Sequence, residues 1–127
     1  MVKRTKEIKM NPDNYCTLEL SRKLAENGIQ VETEAKWIIW PMGLAELVYN
    51  WQYRVADVEV FPAPSFAELW RELPESRQVE YLLTIKKMVG ETIVGYENRG
   101  SWLYYIRDAK TADALAELLV WVRKEQK

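Results

Sequence analysis

Thr92-Ile93-Val94-Gly95-Tyr96-Glu97-Asn98-Arg99-Gly100-Ser101-Trp102-Leu103-Tyr104-Tyr105-Ile106-Arg107 is the stretch that decides the fold. Two runs rich in β-branched and aromatic residues flank Asn98-Arg99-Gly100-Ser101, a glycine-containing segment of turn length, so the pattern predicts a hairpin. Upstream, Val79 to Met88 ends in Val89-Gly90-Glu91, a second turn, and the three runs together predict an antiparallel meander. The two-residue period of a strand sets Val79, Tyr81, Leu83 and Ile85 on one face and Glu80, Thr84 and Lys86 on the other. By the same rule Trp102, Tyr104 and Ile106 oppose Leu103, Tyr105 and Arg107.

Working outward from the meander, Thr111 caps a final helix of about 15 residues, whose Leu115, Leu118, Leu119 and Val122 form an apolar stripe. Before the meander, Ser65-Phe66-Ala67-Glu68 is a capping box opening a short helix that Pro74 stops, with Phe66, Leu69, Trp70 and Leu73 at helical spacing. The first helix spans Tyr15 to Asn27, with Asn14 or Asp13 as its cap and Gly28-Ile29 as a Schellman stop. Lys36 to Trp40 reads as a strand, and Leu47, Tyr49, Trp51, Tyr53 and Val55 alternate with Val48, Asn50, Gln52 and Arg54 as a second one. Val58 to Phe61 adds a short edge strand before Pro62-Ala63-Pro64. The order predicts an α+β domain: a mainly antiparallel sheet of about five strands with three helices packed on one face. Residues 1–12 read as a basic, flexible tail and residues 13–127 as a single domain.

The chain has 127 residues, a size for one core, and 48% hydrophobic against 29% charged residues excludes a disordered chain. No uncharged stretch approaches the roughly 20 residues of a spanning helix, the nearest being Trp37 to Ala45. Net charge is −1, and Lys3, Arg4, Lys6 and Lys9 against Glu7 leave the body acidic, which disfavours duplex nucleic acid as a partner. The lone Cys16 excludes an intramolecular disulfide, and the early polar residues do not make a signal peptide; both fit a cytoplasmic location.

There is no histidine, so the commonest general base and metal ligand are missing. Ser65 is explained by its capping box rather than as a nucleophile. Cys16 could be activated by a helix N-terminus, but burial as an inert thiol is the simpler reading. Asp57 and Glu59 offer two carboxylates to a divalent metal, without a third ligand to complete the set. No catalytic residue, metal site or cofactor is therefore assigned. The excess of aromatics, 6 Trp, 7 Tyr and 2 Phe, belongs mainly to the core, with Trp51, Trp70, Trp102 and Trp121 at the sheet–helix interface. The surplus points to a recognition surface on the opposite sheet face, formed by Gln52, Arg54, Lys86, Leu103, Tyr105 and Arg107.

Three segments, Cys16 to Leu24, Pro62 to Pro74 and Ala112 to Trp121, together resemble a family of small uncharacterised proteins of bacteriophages, prophages and other mobile elements. The resemblance implies a fold and a genomic setting, but no activity. With it, the expected function is that of a non-enzymatic accessory protein in a bacterial host cell, acting by binding a host or phage protein. The alternative is a protein that binds a nucleotide, a signalling molecule or a single strand through aromatic and arginine side chains. Pairing of the Val58 to Phe61 edge would give a homodimer.

Overall fold

A computed structural model describes residues 11–52 and 57–125. Ten of the residues assigned to the basic tail, 1–10, lie outside the described residues, as do Arg54 and the end of the predicted second strand. The fold is α+β, with helices α1 (Leu18–Glu26), α2 (Phe66–Glu72) and α3 (Thr111–Glu125) and strands β1 (Ala35–Ile39), β2 (Ala45–Tyr49), β3 (Glu59–Pro62), β4 (Ser76–Arg77), β5 (Tyr81–Met88), β6 (Glu91–Asn98) and β7 (Ser101–Asp108). The strands form two antiparallel sheets, β2-β1-β3 and β4-β5-β6-β7, rather than the single five-stranded sheet expected.

The helices also depart from the expected single layer. Helix α3 lies along β6 and β7, while α1 and α2 pack on α3, and α1 reaches across to β3 of the smaller sheet. That position makes α3 the centre of the core: Ala114, Leu115, Ala116, Leu118, Leu119 and Val122 are buried nearly all round its axis. A helix covered by a sheet below and helices above needs apolar residues on most of its circumference, not on one stripe.

Local chemistry explains the ends of the elements. Helix α1 begins three residues later than a cap at Asn14 would give, because Thr17 is the cap, its hydroxyl accepting from the Leu20 amide at 3.3 Å. Asn11 instead caps a 3-10 turn over Pro12–Asn14, which begins within the span read as tail and runs across its boundary with the domain. The helix ends as expected, with Gly28 left-handed at φ 70° and the Ile29 amide donating to Leu24 at 2.9 Å. The capping box of α2 is complete, and the second oxygen of Glu68 accepts from the Glu34 amide at 3.0 Å, so one buried carboxylate joins α2 to the start of the small sheet. Strand β2 stops at Tyr49, where Asn50 turns left-handed; Gln52 therefore lies beyond the strand, and Trp51 meets the edge of Trp40 at 5.9 Å instead of lining a sheet–helix interface. Strand β5 begins at Tyr81 rather than Val79, because Gln78 and Val79 form the turn from β4, a two-residue strand too short to carry a periodic signal.

Candidate functional site

Strands β5, β6 and β7 bury one face under α3 and leave the other face outward. On the inner face Tyr81, Leu83 and Ile85 join Val94, Tyr96, Tyr104 and Ile106 in the core. Trp121 of α3 stacks on Tyr104 with ring centroids 4.4 Å apart and planes 1° from parallel, and the Arg77 guanidinium lies 5.7 Å from the Trp121 ring centre. The Tyr96 hydroxyl donates to the Pro74 carbonyl at 2.7 Å, and burial pushes its pKa up to about 12.

The outer face is read from the register. Lys86, Ile93 and Arg107 form one cross-strand row, Thr84, Gly95 and Tyr105 the next, and Leu82, Glu97 and Trp102 the third. A register shift in the last row leaves Leu103 without an opposite residue, so two consecutive residues of β7, Leu103 and Tyr104, turn inward while Trp102 comes out beside Tyr105. Strict alternation had placed Trp102 in the core and Leu103 on the surface; the bulge reverses both. The two outer rings sit 5.6 Å apart at an interplanar angle of 53°.

Charges on this face are paired among themselves. The Lys86 ammonium meets Glu97 at 2.9 Å and lies 5.4 Å from the centre of the Trp102 ring. The Arg107 guanidinium gives two nitrogens to one oxygen of Glu91, at 2.6 and 3.2 Å, which raises its pKa further. Between the pairs lie apolar side chains in contact with solvent: Leu82 is 58% exposed, Met88 50% and Tyr105 45%. Gly95 at the centre carries no side chain, and β7 comes so near that a Cβ there would lie 2.7 Å from the Cα of Tyr105.

Of the six residues expected to form a recognition surface, Lys86, Tyr105 and Arg107 share this face, while Leu103 turns inward to the core. Gln52 belongs to the end of the other sheet, where its side-chain amide donates to Asn50 at 3.3 Å, and Arg54 is outside the described residues. Sequence reasoning missed Trp102, Glu91, Glu97 and Ile93; the signal was Gly95, a glycine inside a strand pattern, which commonly marks a bulge or a close backbone approach.

The other candidates resolve locally. Cys16 is fully buried, its thiol contacts the Ala112 carbonyl at 3.5 Å, and burial raises its pKa, the reverse of an activated nucleophile. The Ser65 hydroxyl accepts from the Glu68 amide at 3.2 Å, as a cap does. Among the described residues no group of three carboxylate or cysteine side chains is disposed to hold a metal ion. An open cleft of about 1160 Å³ lies between the start of α2 and β5, lined by Tyr15, Phe66, Ile85, Lys87 and Lys110, and the Lys110 ammonium is engaged by the Pro12 carbonyl at 2.8 Å. No helix among the described residues is long and apolar enough to cross a membrane.

No family model matches the chain, and neither the curated proteins nor the solved structures include a significant match to it.

Proposed function

We propose that the protein is a non-enzymatic accessory protein that binds a host or phage protein on the outer face of the β5-β6-β7 sheet. The observation that carries this reading is the coexistence of exposed Leu82, Met88 and Tyr105 with half-buried Ile93 and Trp102 on a face whose cations are already neutralised by Glu91 and Glu97. Apolar and aromatic area with charges at its margins is the composition of a protein-docking surface. A nucleotide or single strand would instead need cations available to phosphate, and here Lys86 and Arg107 each hold a carboxylate.

The test is a comparison of the wild-type protein with Trp102→Ala/Tyr105→Ala, each tagged, cross-linked in its host and purified, with folding checked by circular dichroism. The expected result is one stoichiometric protein retained by the wild type and lost from the variant. Equal retention by both, or a bound small molecule in place of a protein, defeats the proposal.

A further inference from the structure

We infer that the exposed edge of β7 pairs with the same edge of a second copy of this chain, placing Arg107 of each copy beside Tyr105 of the other on one continuous outer face. The inference adds to the docking face proposed above and does not depend on it.

Among the described residues the two sheets end in four edge strands. Strand β4 has two residues, β3 has four and closes with Pro62, β2 has five, and β7 has eight with no proline. Long edges are ordinarily guarded by shortness, proline, bulges or charge. In β7 the bulge guards only the first half, at Trp102 and Leu103, and leaves Tyr104-Tyr105-Ile106-Arg107-Asp108 regular.

That regular half has its free hydrogen-bonding groups in a definite place. The two-residue turn Val89-Gly90 makes Met88 and Glu91 a hydrogen-bonded pair, so by alternation Gly95 exchanges its bonds with Thr84, and Gly95 and Tyr105 are a pair that does not exchange hydrogen bonds. The amide and carbonyl of Tyr105 therefore point away from β6, and so do those of Arg107, two residues on.

A two-fold axis at Ile106 uses all of these groups. It sets Tyr105 of one copy opposite Arg107 of the other, twice, so that each such pair exchanges an amide-to-carbonyl bond in both directions. Facing residues match in side: Tyr105 and Arg107 are both on the outer face, and Tyr104 and Asp108 are both on the inner one. No like charges are opposed, and each guanidinium gains a neighbouring aromatic ring. Five paired residues make a small interface, of the weak class that forms at high concentration.

The experiment is sedimentation equilibrium of the full chain from about 10 μM to about 1 mM, a range that spans micromolar to millimolar dissociation constants. The expected result is a mass rising from 15.0 kDa towards twice that value. Tyr105→Pro removes the outward amide without removing a bond to β6, so a folded variant should remain monomeric. Ile106→Cys supplies a second readout that needs no proline: residues facing each other across the axis have Cβ atoms about 4.5 to 5.5 Å apart, close enough for oxidation to link two copies after slight adjustment. A surface control, Thr84→Cys, should not cross-link efficiently. A mass fixed at 15.0 kDa throughout, a dimer that persists in folded Tyr105→Pro, or equal cross-linking at positions 84 and 106 overturns the inference.

Discussion

Replacing Gly95 by alanine tests the geometry on which the candidate site stands. Within an ordinary strand the change should help, since glycine costs roughly 0.5–1 kcal/mol relative to alanine in backbone entropy. Here the new methyl would lie 2.7 Å from the Cα and 2.8 Å from the Cβ of Tyr105, and against the Tyr104 carbonyl oxygen. Nothing in that set is the end of a flexible side chain, so relief requires β7 to move away from β6. Overpacking costs about 1–3 kcal/mol, and contacts this short to backbone atoms put Gly95→Ala in the upper part of that range, about 2–3 kcal/mol, so a net loss near 1–2 kcal/mol remains after the entropic gain. With a urea slope of about 2 kcal/mol per molar, in the middle of the range for small proteins, the unfolding midpoint should fall by roughly 0.5–1 M. Gly100→Ala is the control, because its Cβ would meet open space and only the left-handed φ of 87° opposes it. A Gly95→Ala protein as stable as the wild type, or more so, would refute the close approach. The bulge register that brings Trp102 out beside Tyr105 would then lose its support.

Glu68→Ala should cost about 3 kcal/mol in urea unfolding, since it strips a charged acceptor from the amides of Ser65 and Glu34, at 2.9 and 3.0 Å; a loss under about 1 kcal/mol would show that the bond to Glu34 is not made. Burial, opposed by the amide and hydroxyl of Thr17, raises the pKa of Asp113 above its ordinary 3.8. A carboxyl raised on folding contributes stability that is fully present below its unfolded pKa and is lost as pH climbs through the folded value, so the wild type should lose stability relative to Asp113→Asn across that window. Parallel pH profiles of the two proteins would contradict this. Cys16 should resist an aromatic disulfide reagent in the native state and react at the rate of unfolding, and rapid labelling of folded protein would show that the thiol is not enclosed.

Much of the chain was legible because its signals are local. The Ser65 and Glu68 cap, the Gly28-Ile29 stop and the paired turns of the meander each place donors and acceptors within a few residues of one another, and each is found where the sequence put it. The α+β class followed from these elements and their order. The candidate face was legible only in part. Alternation from Thr84 to Lys86 and from Tyr105 to Arg107 carried those residues to the same side, while the row containing Trp102 was inverted by one extra residue in β7.

What the sequence alone determined, then, is the set of helices, the hairpins and the absence of histidine chemistry, because caps, turn residues and composition act at short range or not at all on geometry. Only the tertiary structure decided that the strands divide into two sheets and that α3 becomes the buried axis between sheet and helices. It also decided that Gln52 is separated from Lys86, Tyr105 and Arg107. Those outcomes depend on which strands hydrogen-bond over long stretches of chain, and strand periodicity is the same whichever sheet a strand joins.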